Sequence, residues 1–171
     1  LVFVSVETLC APLARQLSLR WLLGVRNSAH TLAKLLTPFG EDAALRLSSV
    51  SHPEYIPRVG KFFQAIGGRA LLLNGTEGEV YANPQRCPAL NLIAGEEPEV
   101  LLPRQPESHI ARDALPAGKE AETTAEWIRR CLNREVAVPQ SLRQQIACCY
   151  VATGRAVDVE SALEQIAKAG Y

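Results

Sequence analysis

Residues 45–74, LRLSSVSHPEYIPRVGKFFQAIGGRALLLN, contain the pattern that decides the fold. Segments 45–50 and 69–73 are short and β-rich, and each predicts a strand. Between them, a turn at His52-Pro53 precedes a helical pattern over 54–66 that stops at a pair of glycines. Because strand, helix and strand are joined by short loops, the sequence predicts an α/β fold with a mainly parallel sheet flanked by helices.

The part of the chain before this unit is mostly helical in pattern. Residues 2–6 predict one further strand, and residues 8–23 predict a helix with Thr8 as its N-cap. A glycine interrupts that helix, and a second helix is predicted over 27–36. We therefore expect segment 8–38 to form a helical excursion from the sheet.

The chain after this βαβ unit divides into an extended segment and a helical segment. Residues 83–120 are richer in Pro and Gly and predict an extended loop with short strands at 90–93 and 99–102. Segment 123–170 predicts the C-terminal helices, the first with a capping box completed by Glu126. These helices are expected over 123–132, 141–153 and 159–169.

Composition limits the class of protein. The chain has 171 residues, of which 47% are hydrophobic, and this is enough for one domain with a core. Its five cysteines are odd in number, include the adjacent pair Cys148-Cys149, and show no CxxC or CxxH spacing. We therefore expect reduced thiols in a cytoplasmic protein, with neither a disulfide framework nor a metal site.

The ends of the chain and its apolar runs carry a further expectation. No apolar run approaches the length that crosses a bilayer, and no signal-peptide pattern is present. The sequence contains no methionine and opens on the strand-like run Leu1-Val2-Phe3-Val4. We expect residues 1–171 to be the C-terminal α/β portion of a larger chain.

Charge is divided unevenly between the two halves. Residues 1–70 carry eight Lys/Arg and four Asp/Glu, whereas residues 71–171 carry ten and fourteen. The resulting net charges of +4 (8 − 4) and −4 (10 − 14) favour an anionic partner for the first half. Chance segregation of charge over a solvated surface is the alternative.

A candidate basic surface lies within the two predicted N-terminal helices. Lys and Arg, helped by small hydroxyl residues and helix N-termini, are the groups that bind phosphates. The alternative is a solvated helix face with charges at helical spacing. The candidate phosphate-binding side chains are Arg15, Arg20, Arg26, Ser28, His30, Lys34, Arg58 and Lys61.

Two other segments bear groups capable of chemistry. Glu77 and Glu79 follow the second strand, where loops of open α/β folds build ligand sites, and carboxylates of this kind can hold Mg²⁺. An exposed turn is the alternative. His52 beyond the first strand could act as a base or pack in a turn. Trp21 and Trp127 stand at helical spacing with aliphatic residues, which predicts that both lie in the core.

Residues 20–38 resemble the signature helix pair of the anthranilate phosphoribosyltransferase family. The residues that fit its pattern are Arg20, Leu23, Gly24, Val25, Arg26 and Pro38. Segment 69–78 resembles that family's strand and acidic loop, and 148–162 resembles its penultimate helices, so the similarity spans essentially the whole chain. The resemblance implies the family's α/β domain, together with Mg²⁺-dependent transfer from phosphoribosyl pyrophosphate to an aromatic acceptor.

Departures from the family pattern affect the metal site and the charge. The adjacent Asp-Glu pair with which the family holds Mg²⁺ and the diphosphate falls on Val80-Tyr81, which cannot ligate Mg²⁺ as carboxylates do. Ala33-Lys34 replaces a Gly-Pro pair and adds a cation to the basic surface. The transferase activity is therefore expected to be lost, with no cofactor bound.

A narrower resemblance, to a paralogue group of the family in enterobacteria, is carried by four strings. It implies a homodimer that binds DNA and RNA with little sequence preference, and that dimerises through a helical domain absent from this chain. Segment 8–38 would dock with that domain. The strings are residues 24–35, 51–55, 75–79 and 83–86.

Three functions stay open at this point. Nucleic-acid binding through phosphates leads, Mg²⁺-dependent phosphoribosyl transfer is the alternative, and a structural domain that braces a dimer is the third.

Overall fold

A computed structural model describes residues 2–40, 44–75, 79–106 and 115–171. The elements along the chain are α1 Val6–Leu9, α2 Ala11–Leu23, α3 Ala29–Ala33, β1 Leu45–Val50, α4 Tyr55–Ile66, β2 Arg69–Asn74, β3 Leu90–Ile93, β4 Glu99–Leu102, α5 Ala121–Leu132, α6 Gln140–Ala152 and α7 Val159–Lys168. None of the helices in these described ranges is both long and apolar enough to cross a bilayer.

The four strands form one sheet in the order β1-β2-β3-β4. β1 and β2 pair in parallel, as the βαβ pattern predicted, but β2–β3 and β3–β4 are antiparallel. The α/β class with flanking helices is confirmed, whereas the expectation of a mainly parallel sheet is wrong. A parallel connection needs a crossover, usually a helix, and the described residues between β2 and β3 contain none.

The core lies on both faces of β2. Leu71 and Leu73 point to the face covered by α6, while Ala70 and Leu72 point to the face covered by α4. Side chains alternate along a strand, so an uninterrupted apolar run is what a strand buried on both faces requires. The uninterrupted apolar run at 70–73 therefore matches a strand that is covered on both faces.

The N-terminal segment differs from its prediction. Residues 2–6 form no strand: the side chain of Ser5 accepts a hydrogen bond from the Thr8 backbone N–H at 3.1 Å and caps α1. Thr8 is thus inside a helix and is not its cap. Gly24 ends α2 in the left-handed conformation at φ +70°, and its N–H donates to the Arg20 carbonyl at 2.9 Å.

Two helix boundaries also depart from expectation. The helix expected over 27–36 is reduced to α3, because the Lys34 and Leu35 N–H groups bond three residues back and tighten the chain before Pro38. α5 begins at Ala121 with no side-chain cap, so the expected capping box at Glu126 is wrong. Since the helix starts two residues earlier than expected, Thr123 lies in its first turn.

A true capping box begins α7. Asp158 Oδ1 accepts from the Ser161 backbone N–H at 2.7 Å, and the Asp158 N–H donates to Ser161 Oγ at 3.3 Å. The hydrogen bond from the Ser161 backbone, followed by that from its hydroxyl, lowers the pKa of the Asp158 carboxyl. α7 in turn packs on α6 through Ala147, Ala162 and Ile166.

This capping box predicts a dependence of stability on acid pH. Because the folded-state pKa of Asp158 is depressed, its stabilisation is complete above the ordinary value of 3.8 and is lost as pH falls through the lower folded value. We expect the melting temperature of wild type to fall relative to that of Asp158→Asn as the pH drops below 3.8. Asparagine caps helices well and does not titrate, so it is the matched control. A difference that stays constant between pH 6 and pH 2.5 in melts followed by circular dichroism would contradict the assignment.

Candidate nucleic-acid interface

Three arginines, Arg15, Arg20 and Arg26, lie on or just after α2, which the rest of the described chain leaves largely uncovered. No residue of α2 is buried, and Arg15 and Arg26 are exposed while Arg20 is half-buried. Residues 8–40 contain four Lys/Arg and no Asp/Glu, so no carboxylate from the same segment offsets these charges. The positive potential predicted for the first half is thus concentrated in one stretch of chain.

Trp21 on α2 is 83% exposed, and its prediction as a core residue is wrong. Leu22, beside it, is 82% exposed. The guanidinium carbon of Arg20 lies 5.5 Å from the centroid of the Trp21 ring. Periodic spacing shows which residues share a helix face, but it does not show whether another element covers that face. The result is an exposed indole with a cation packed against it.

The turn between α2 and α3 is held by Asn27. Its side-chain amide donates to the Gln16 carbonyl at 2.9 Å, and its Oδ1 accepts from the Ala29 N–H at 3.0 Å. His30 Nδ1 lies 3.3 Å from the Asn27 backbone nitrogen. This contact gives the half-buried His30 a local structural role, while Ser28 is exposed and makes no side-chain capping bond.

The cations of α4 form a second group. Arg58 and Lys61 are exposed and lie three residues apart, away from the buried positions of the same helix. The guanidinium carbon of Arg58 lies 5.6 Å from the centroid of the Tyr55 ring. Tyr55 and Lys34 line one cavity, so the structure brings the α4 group next to the end of α3.

The eight predicted side chains do not form one continuous face. Arg15 and Arg20 are five positions apart on α2, and this separates them by about 140° around the helix axis. Arg20 and Arg26 flank Trp21 along the chain, whereas Lys34 lies at the cavity beside α4. Arg20 and Arg26 therefore lie on either side of the exposed Trp21 in sequence, and the cations of α4 form a second group near Lys34.

A cavity of about 170 Å³ between α3, β1 and α4 was missed by sequence reasoning. Ser48 and Ser49, in the middle of β1, are each 2% exposed, and neither hydroxyl has a hydrogen-bond partner among the described residues. Both serines are among the residues that line the cavity. Two adjacent serines in the middle of a strand are the sequence signal that could have indicated it.

Sequence reasoning also missed a wider cleft of about 580 Å³ at the carboxyl ends of β1 and β2. Arg86 and Arg104 line it, together with Asn74 and Asn91. The Asn74 side chain donates to the Val50 carbonyl at 2.8 Å and so links the two parallel strands. Because the antiparallel strands β3 and β4 bring the two arginines together, no local motif marks them.

The predicted acidic loop after β2 is only partly described by the structure. Glu77 lies outside the described residues, and Glu79 is half-buried. A Cβ on Gly75 would lie 2.7 Å from the Glu79 carbonyl oxygen, so this approach requires glycine. Val80 and Tyr81 are exposed.

Within the described ranges no three His, Cys, Asp or Glu side chains converge on a metal-binding position. All five cysteines are unpaired, and burial raises the pKa of Cys148 to about 12. A buried thiol with a raised pKa stays protonated, so it contributes to core packing and does not act as a nucleophile.

Comparison with known proteins adds one relative. Over 168 residues the chain is 58% identical to "Uncharacterized protein YbiB" of Escherichia coli (strain K12). The chain is YbiB-like. The match covers 98% of this chain and 52% of YbiB, so the chain spans about half the length of that relative. No protein-family model matches the sequence.

Proposed function

We propose that this YbiB-like chain belongs to a nucleic-acid-binding protein that contacts phosphates with little sequence preference. Its α/β domain would be of the anthranilate phosphoribosyltransferase type, with the transferase activity lost. The observation that carries the proposal is the exposed Trp21, packed against Arg20 in a segment that contains four cations and no acid. Cations and aromatic faces together are what non-specific binders of single strands use.

The electrostatic part of the argument concerns affinity. Each Lys or Arg that neutralises a phosphate releases condensed counterions, and this supplies most of non-specific binding. Arg20, Arg26 and Lys34 are the principal proposed contacts, with Arg15, Arg58 and Lys61 at the margins. Since phosphate contacts carry no sequence information, the expected preference among sequences is small.

The aromatic part of the argument concerns the form of the nucleic acid. A tryptophan that is 83% exposed can stack on an unpaired base, whereas bases in a duplex are already stacked. The adjacent Arg20 adds a cation–π contribution to the same platform. The surface therefore suits single-stranded DNA or RNA better than duplex.

The direct test is fluorescence anisotropy of a labelled oligothymidine over a series of salt concentrations. We expect saturable binding that weakens steeply as salt rises, and similar affinity for a mixed-sequence strand of the same length. YbiB of Escherichia coli, measured alongside, shows how much affinity the remaining half of that relative adds. Absence of binding by both proteins at low salt would overturn the proposal.

Trp21 offers a second and more local test. Replacement of Trp21 by alanine is expected to weaken single-strand binding by about 5- to 150-fold, because one base–aromatic stack contributes about 1–3 kcal/mol. Trp21→Phe keeps an aromatic face and should retain most of the affinity. Stability should be nearly unchanged in both variants, since the side chain is exposed. Equal affinities for wild type and Trp21→Ala in the anisotropy titration would exclude stacking at this position.

A further inference from the structure

Ser48 presents an unexplained buried polar group. It is 2% exposed, and its Oγ has no hydrogen-bond partner among the described residues. A buried hydroxyl without a partner destabilises the folded state, so each such group in a folded protein needs an explanation. Alternation along β1 places Ser48 on the same face as Val50, which packs with Val59 of α4.

That face opens into the cavity of about 170 Å³ between α3, β1 and α4. At about 30 Å³ for each water molecule, this volume holds about five waters. The cavity therefore has room for a small polar group beside the Ser48 hydroxyl. The other residues that line it and bear donors or a cation in their side chains are Thr31, Lys34, Ser51, His52 and Tyr55.

The charge of the residues that line the cavity indicates which class of ligand it could bind. Besides Ser48 and Ser49, the described residues of the lining include one lysine and three further hydroxyl residues, and none of these described residues carries a carboxylate. Hydroxyl and ammonium groups donate to oxyanions, and charge-assisted hydrogen bonds of this kind are the strong ones. We infer that this cavity binds a phosphate monoester group, with Lys34 supplying the charge and Ser48 a buried donor.

A monoester fits this cavity better than a phosphodiester does. A monoester carries one substituent, so its phosphate can enter the cavity while that substituent stays outside, whereas a diester must continue on both sides. Two sources share this chemistry: a free phosphomonoester and the phosphorylated end of a nucleic-acid strand. The second source rests on the proposed function, and the first is independent of it.

The chain provides a matched control for Ser48. Ser49 is equally buried, and its hydroxyl also lacks a partner among the described residues. Although Ser49 is one of the residues along the cavity, strand alternation directs its side chain to the opposite face of β1 from that of Ser48. Alanine at either position removes an unsatisfied buried hydroxyl, so both variants should fold at least as stably as wild type. A difference between them in ligand binding then reports on the cavity alone.

The test measures thermal stabilisation by inorganic phosphate, with chloride at equal ionic strength as the reference. Phosphate should raise the melting temperature of wild type and of Ser49→Ala through preferential binding to the folded state. Ser48→Ala should bind phosphate about tenfold more weakly or worse, since it loses a hydrogen bond to a charged group. No phosphate-specific stabilisation of wild type, or equal loss in both alanine variants, would overturn the inference.

A comparison of two oligonucleotides, one with a 5′-phosphate and one with a 5′-hydroxyl, identifies the source of the phosphate group. If hexathymidine with a 5′-phosphate binds more tightly than the 5′-hydroxyl strand, and Ser48→Ala removes that preference, the cavity takes a strand end. If the two strands bind equally while phosphate still stabilises wild type, it takes a free phosphomonoester. Glutamate at Arg20 and Arg26 separates the two proposals, because it should weaken both strands without changing the effect of inorganic phosphate.

Discussion

Simultaneous replacement of Arg20, Arg26 and Lys34 by glutamate is expected to weaken single-strand binding by at least about 100-fold near 0.1 M salt. For single strands each phosphate contact contributes a slope of about 0.7 to the dependence of log affinity on log salt. Loss of three contacts should therefore reduce the magnitude of that slope by about 2, which corresponds to about two decades of affinity at 0.1 M. Repulsion by the new carboxylates adds to this loss.

The control for that experiment reverses the same amount of charge elsewhere. Arg129, Arg130 and Lys168 are exposed residues of α5 and α7, and they pair with Glu126, Glu135 and Glu164. Their replacement by glutamate changes the net charge equally, but it should leave the salt slope close to that of wild type. An unchanged affinity and slope in the Arg20, Arg26 and Lys34 variant would refute the basic surface. Equal losses in both variants would mean that net charge, and not a defined surface, governs binding.

Leu72→Ala is expected to destabilise the fold by about 2–5 kcal/mol, a large part of the 5–15 kcal/mol that holds a typical domain. Leu72 is fully buried at the centre of the sheet and packs with Val50, Phe63 and Ile93. Deletion of its methyl groups removes apolar burial and leaves a cavity that close-packed neighbours fill only in part.

The matched control is the same substitution at Leu22, which is 82% exposed and should cost less than about 0.5 kcal/mol. Urea unfolding followed by circular dichroism measures both, and the slope against urea should stay constant. If Leu72→Ala does not fold, Ile93→Val in the same cluster should still cost about 0.5–1.5 kcal/mol. Similar losses at Leu72 and Leu22 would contradict the burial that the fold assigns to them.

The βαβ unit could be predicted because its signals are local. The strands β1 and β2, the helix α4 between them and the two glycines after α4 each carry their own pattern, and all were found within a residue of the predicted bounds. Short strands β3 and β4 were also found where the sequence placed them. The predicted cap at Thr8 is wrong because the Ser5 side chain, three residues earlier, accepts the hydrogen bond from the Thr8 backbone N–H.

The candidate site was only partly predictable. Arg15, Arg20, Arg26 and Lys34 could be named because cations without neighbouring acids are visible in a sequence. The exposure of Trp21 could not, because the helical spacing of apolar residues is the same whether or not another element covers them. The Ser48 cavity was equally hidden, since it exists only where α3 and α4 meet β1.

The sequence by itself determined the α/β class, the positions of the four strands of the sheet and most helices, and the separation of charge, although it also predicted a strand over 2–6 that does not form. These depend on side-chain period, turn residues and composition, which act over a few neighbouring residues. The tertiary structure alone decided that the sheet is mixed, that α2 presents Trp21 outward and that Ser48 faces a cavity. Strand direction and burial depend on contacts between segments far apart in the chain, and a local pattern does not specify those partners.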